Sequence, residues 1–206
     1  MQKGHAEALM PMIEKLFSEN GIEMSALDRL AVTHGPGTFT GVRVGLSAMR
    51  GLALALSIPV KTYGTLAVMA RACDTQTPLI VAVDAKRDTF YTQSFAPDGA
   101  AHTDPQALSA AQVSTLAASL IADTATDKAD KITLCGSGAD MLADILVDAT
   151  ALVSQSDAPP YPDAAVLAAM AAQDTDWDGL AAAEPLYLRP PDATLPDPTK
   201  RIKWRS

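Results

Sequence analysis

Residues 34–45 read HGPGTFTGVRVG and place four glycines and a proline at the entrance to Val42–Leu56, a run that is apolar almost all the way round. Such a loop either cradles phosphate at the mouth of a helix or gives a helix room to pack tightly. A Walker A loop needs GxxxxGK[ST], with the lysine on the phosphates and the hydroxyl on magnesium. Here Gly37 lies four before Gly41, and Val42 stands where the lysine belongs. The dinucleotide fingerprint GxGxxG fails at Thr40, its last position. Free amides at the start of any helix still offer an anion site. The structural reading is the stronger one: Gly35, Pro36 and Gly37 turn a strand into a helix, and Thr38 or Thr40 caps its first amides.

Working outward, Gly41, Gly45 and Ala48 or Met49 recur about one turn apart, a strip with little side chain that another backbone can approach closely. Arg43 and Arg50 share a face and are the only charges of the helix, predicted over about 40–57. With Leu46, Leu52, Leu54 and Leu56 spread round it, this helix must be covered on nearly all sides. Upstream, residues 5–19 carry Leu9, Met12, Ile13, Leu16 and Phe17 at helical spacing, and Asn20-Gly21 supplies a stop. Pro11 removes one backbone bond, so that helix is expected to start properly nearer Met10. A short turn of helix at Ser25–Asp28 leads into a strand at Leu30–Thr33.

Downstream, Pro59–Tyr63 reads as a strand and Thr65–Cys73 as a third helix; alternation of strand and helix predicts a mostly parallel sheet with helices against it. The grammar changes at Pro78. Leu79–Val83 is a buried strand, Asp84–Asp88 a polar turn and Thr89–Phe95 the returning strand of a hairpin. The segment 96–130 carries a helix at 110–122; a strand at Lys131–Cys135 then runs through Gly136-Ser-Gly138 into a helix at Ala139–Val147. A last helix spans about Pro162–Ala172, set up by Asp163. Domain boundaries follow: a first lobe at 1–76, a second at 77–190, and a proline-rich arm at 191–206 that ends in Lys200, Arg201, Lys203 and Arg205.

A chain of 206 residues that is 48% apolar buries a real core, and a net charge of −8 argues against gripping nucleic acid alone, because phosphate contacts need a basic surface. Cys73 and Cys135, with no CxxC, read as two packed thiols in a reducing compartment. The N-terminus lacks a continuous apolar core of signal-peptide length, and Gly51–Val60 is too short to span a bilayer; the expected location is the cytoplasm.

Catalytic constellations are thin. His5, His34 and His102 show no HxxxH or HExxH spacing, so no metal is expected. Asp84 and Asp88 flank Lys86-Arg87, either as an acid/base pair or, more simply, as turn carboxylates bonded to backbone amides. Ser137 lacks the GxSxG context of a nucleophile elbow.

GHAEALMPMIEKLF, LAVTHGPGTFTGVRVGLSAMRGLALALSIPV, VAVDAKRDTFYTQSF, LCGSGAD and EPLYLR occur in this order across residues 4–190. Together they resemble the TsaB (YeaZ) family, a subunit of the bacterial machinery that makes the tRNA base threonylcarbamoyladenosine. The resemblance implies the actin-like, sugar kinase and Hsp70-like ATPase fold, two α/β lobes of related design. It also implies a non-catalytic partner of the homologous subunit TsaD, with the ATPase TsaE joining them and tRNA reached only through the complex. The catalytic relative places metal-binding histidines in an HxxxH-containing stretch, and the corresponding YGTLAVMAR of Tyr63–Arg71 has neither histidine nor carboxylate. In the family the partner is met through two N-terminal-lobe helices. Carried over, the interface comprises His5, Leu9, Met12, Ile13 and Leu16 on the first helix and Gly41, Val42, Arg43, Gly45, Leu46, Met49 and Arg50 on the second.

Family members open with a β-hairpin, a third strand and an Asp-Thr-Ser-like motif before the first helix, whereas this sequence begins at the helix. Either the start is assigned late or the product is truncated, and with Met1 as the start the strand at 30–33 keeps an unpaired edge. Three functional classes follow: a scaffold that binds TsaD or a second copy of itself, a nucleotide-dependent enzyme of the actin-like fold, and a peptidase for which no residue volunteers. No cofactor is expected on this chain alone, with ATP or ADP admitted at the interface of the complex.

Overall fold

The computed structural model describes residues 5–123, 131–147, 152–177 and 183–189. Two helices and two strands come first: α1 (His5–Asn20), a 3-10 turn at Met24–Ala26, β1 (Leu30–Thr33), α2 (Phe39–Leu56) and β2 (Val60–Tyr63). Strands β1 and β2 pair in parallel from Leu30 opposite Val60 to Thr33 opposite Tyr63. After α3 (Thr65–Arg71) the chain crosses to β3 (Leu79–Asp84) and β4 (Thr89–Phe95). Then come β5 (Gln106–Ser109), α4 (Ala110–Asp123), β6 (Lys131–Cys135), α5 (Ala139–Val147), β7 (Leu152–Gln155) and α6 (Ala164–Gln173). These five strands form a second sheet in the order β5-β4-β3-β6-β7. It is antiparallel across β3, β4 and β5, and parallel where helices separate β3, β6 and β7 in sequence. The hairpin read in the sequence is there and makes this second sheet mixed, while the first sheet is parallel, as the alternation of strand and helix before Pro78 predicts.

Strand β3 explains why Leu79–Val83 is apolar without alternation. Ile80 and Ala82 face one core with Phe90, Leu134 and Leu142, while Leu79 and Val81 face another with Leu66, Met69 and Cys135. A strand covered on both faces has no polar side to show. The first sheet has a much smaller core of Val32, Leu46 and Ala183, edged by Val42, Met49 and Val60.

Several boundaries differ from expectation for identifiable reasons. Helix α1 runs through Pro11 from His5 instead of starting near Met10. The missing amide would have served the carbonyl one turn back at Glu7, which lies on an exposed face. Strands β5 and β7 were unforeseen: QALS and LVSQ are four-residue edge strands with no clean alternation. Helix α6 starts where Asp163 predicts, its carboxylate accepting from the Ala165 amide at 2.7 Å. The proline-rich arm at 191–206 lies outside the described residues.

Candidate functional site

The opening loop is held by backbone on three sides. The His34 amide donates to Tyr63, the Thr65 amide to the Gly35 carbonyl, and the Leu186 amide to the His34 carbonyl at 2.8 Å. Gly35 sits at φ +117°, and a Cβ there would lie 2.7 Å from the Leu186 carbonyl oxygen. Its glycine is thus required by the chain's own backbone at Leu186. A Cβ on Gly37 would press on Val42 at 3.2 Å, and Pro36 is buried behind a cis bond. Thr38 caps α2, its hydroxyl accepting from the Gly41 amide at 3.2 Å. A Cβ on Gly41 would collide with that hydroxyl at 2.7 Å.

Helix α2 sorts the expected interface residues into two faces. Leu46 is 3% exposed and packs with Val32 and Ala183, while Val42 and Met49 flank it and Gly45 lies against Val32. These four therefore point into the molecule, and the small-residue strip serves its own sheet. Gly41, Arg43 and Arg50 lie on the exposed stripe, which continues through Ser47 and Gly51 to Leu54, 84% exposed. On α1, which packs against α2, Met12 and Leu16 are 57% and 60% exposed, with Leu9 and Ile13 half-buried. His5 opens α1, and its side chain lies outside the described residues. Leu54 and Phe39 were missed as site residues: a helix with leucines all round does not reveal its phase, and the exposed stripe at 40, 43, 47, 50 and 54 does.

The two arginines of α2 are engaged by the segment 183–189. Arg50 donates to the Ala183 carbonyl. Arg43 donates to the Tyr187 hydroxyl at 2.7 Å and lies 3.8 Å from the centre of the Phe39 ring, which stacks on Tyr187 at 5.5 Å. The same segment reaches the second sheet, where Arg189 donates to the Ala85 carbonyl at 3.1 Å. By length and composition α2, with 18 residues and a mean hydropathy of 1.2, reaches what a membrane-crossing helix needs, although Gly51–Val60 alone is too short. Its two arginines and their protein partners account for the helix in another way.

Beneath the segment lies a cleft of 590 Å³, walled by Phe39, Arg43 and Tyr187 on one side and by Asp84, Lys86 and Tyr91 on the other. Asp84 accepts from the Lys86 amide at 2.7 Å and pairs with its ammonium at 2.5 Å. The Lys86 hydrogen bonds hold the Asp84 carboxyl below its ordinary range. It is a turn carboxylate, the simpler of the two sequence readings. Lys86, Arg87 and Asp88 all take left-handed backbone angles. Ser137 accepts from the Asp84 amide at 3.2 Å, a structural role. Among the described residues no three His, Cys, Asp or Glu side chains converge as a metal site would require.

The fold is mixed α/β on two sheets, and the similarities that follow place it in the actin-like (ASKHA) class. The family described as TsaD: tRNA N6-adenosine threonylcarbamoyltransferase matches residues 1–175. The chain belongs to that family, and within it to the TsaB (YeaZ) members. The tRNA threonylcarbamoyladenosine biosynthesis protein TsaB of Haemophilus influenzae is 34% identical over 93 residues, covering 44% of this chain and 39% of the relative. Its Escherichia coli counterpart is 31% identical over 97 residues, covering 46% and 42%. The chain thus aligns with about two fifths of the length of these relatives. The solved structure of YeaZ from Pseudomonas aeruginosa superimposes with a TM-score of 0.66 at 28% identity, covering 89% of this chain and 84% of that one.

Proposed function

We propose that this chain is a non-catalytic subunit in the formation of threonylcarbamoyladenosine in tRNA, binding TsaD through α1 and α2, with the ATPase TsaE joining the pair. The observation that carries this reading is the unburied apolar face on two helices packed together: Met12, Leu16 and Leu54 all stand more than half exposed. Apolar surface gathered in this way is characteristic of contact sites. The TsaB relatives of Haemophilus influenzae and Escherichia coli, named for tRNA threonylcarbamoyladenosine biosynthesis, supply the pathway. In this reading the chain works in the cytoplasm, holds no cofactor by itself and meets tRNA only through the complex, with ATP or ADP at its interface as an option to be tested.

The test is co-purification of the double variant Leu16→Glu/Leu54→Glu with TsaD. Two carboxylates buried against an apolar partner are expected to weaken association at least tenfold, about 1.4 kcal/mol. Substitution at such exposed positions leaves the melting temperature of the lone chain nearly unchanged. Undiminished affinity for TsaD would sink the proposal. Light scattering on the chain alone separates a homodimer built on the same face from the heterodimer. The 590 Å³ cleft, with Arg43 and Lys86 on its walls, favours a second reading as a nucleotide-binding protein of the actin-like fold. Calorimetry with millimolar ATP and magnesium tests it, and absence of heat removes it.

A further inference from the structure

Helix α5 turns Ala139, Leu142 and Leu146 into the core of the second sheet. Its outer face carries Asp140, Met141, Asp144 and Ile145, all exposed, with Met141 at 49% and Ile145 at 43%. Two apolar side chains one turn apart, beside two carboxylates one turn apart, make a stripe that is apolar and acidic together. Among the described residues no ion pair involves α5, so the like charges of Asp140 and Asp144 repel with no cation to offset them.

The described chain leaves the fold beside this helix. Arg189, its last residue, donates to the Ala85 carbonyl at 3.1 Å. The neighbouring Asp84 donates its amide to the Ser137 hydroxyl at 3.2 Å, two positions before α5. The Gly138 amide on the Ala82 carbonyl, at 3.0 Å, ties the start of α5 to the same hairpin. Beyond Arg189 the sequence reads PPDATLPDPT and then KRIKWR at residues 200–205, four cations with Ile202 and Trp204 among them. Lys200 is 11 residues past Arg189 (200 − 189). An extended chain of that length reaches roughly 36 Å, against about 14 Å for the whole of α5.

We propose that residues 200–205 dock on the outer face of α5 in the same chain, with Ile202 and Trp204 against Met141 and Ile145 and the four cations around Asp140 and Asp144. Spacing agrees with charge. Side chains two positions apart in an extended segment share a side at about 6.6 Å, close to the roughly 6 Å between helix positions one turn apart. The exposed face of α1 also mixes apolar and acidic residues, but Lys15 already pairs with Glu19 there at 3.6 Å, and the chain leaves the described fold at the hairpin instead. Docking on α5 engages the most basic stretch of the sequence and leaves α1 and α2 open, whether or not TsaD binds them.

The experiment follows the indole nitrogen–proton signal of Trp204 in the full-length chain by NMR, assigned by its loss in Trp204→Phe, against a free peptide of residues 195–206. In the wild type the signal is expected to lie away from its position in the peptide and to stay there on dilution, and Trp204→Phe is expected to shift amides of α5. In Asp144→Lys/Ile145→Lys, which reverses one charge and removes one apolar contact, the signal is expected to return to the peptide position. Both side chains are exposed, so the melting temperature of that variant stays near that of the wild type. The proposal is overturned by a wild-type signal at the peptide position, by one that stays displaced in the α5 variant, or by amide shifts in α1 in place of α5. Displacement that vanishes on dilution also overturns it, by seating the segment on a second copy.

Discussion

A Cβ placed on Gly136 would lie 2.3 Å from the Ala82 carbonyl oxygen, at a backbone φ of +104° that side chains resist. At Gly21, which ends α1 with φ +63°, nothing lies within 4 Å. The two positions separate conformational strain from collision. Gly21→Ala is expected to cost about 1 kcal/mol, the ordinary penalty of a left-handed residue. Gly136→Ala adds a backbone clash in a packed core, and is expected to cost about 3 kcal/mol. Urea denaturation reads both as a fall in midpoint at unchanged slope; equal costs would show that β3 and β6 shift apart freely. At this scale the sequence was only partly legible. The glycines of GSG announced a turn, but nothing local announces that Ala82 passes over it from another strand. Leu46 and Leu54 are two turns apart in a helix with leucines on every side, and only the position of β1 shows which of them is inside.

Among the elements, α6 is joined to the first sheet through polar contacts beyond its end. Asp174 pairs with Lys61 of β2 at 2.7 Å and accepts from the Tyr63 hydroxyl at 3.1 Å, while Trp177 lies under Arg29 and Lys61. The Lys61 contact is the main reason that the Asp174 carboxyl lies below its ordinary 3.8. A carboxyl lowered on folding stabilises the fold fully above its unfolded value, and the contribution is lost as pH falls through the lower, folded one. Asp174→Asn is therefore expected to melt lower than wild type at pH 7, with the gap closing on the acid side of 3.8. A gap that persists at pH 2 would assign the effect to shape instead of charge. Burial first, and then the Asp174 carboxylate that accepts from its hydroxyl, push Tyr63 up to about 12. Elements with a strong apolar signal, such as Leu79–Val83, were readable because both faces of β3 are buried. Strands β5 and β7 were not, because an edge strand owes its existence to the neighbour that offers it hydrogen bonds.

For the molecule as a whole, the segment 183–189 is what links the small first sheet, the α2 arginines and the hairpin at Ala85. A chain ending at Trp177 loses Ala183 from the core of Val32 and Leu46, and also the hydroxyl and carbonyl that accept from Arg43 and Arg50. Its melting temperature is expected to fall, with hydrogen exchange in β1 and α2 rising before that in β3 and β6; uniform protection would overturn the inference. This also fixes an order of events during synthesis. Arg50 and the carbonyl it binds are 133 residues apart, and a ribosome delivers the arginine long before its acceptor. The residues of β1 and α2 are made well before their partners, so nascent chains wait with an open apolar helix until residues 183–189 have emerged.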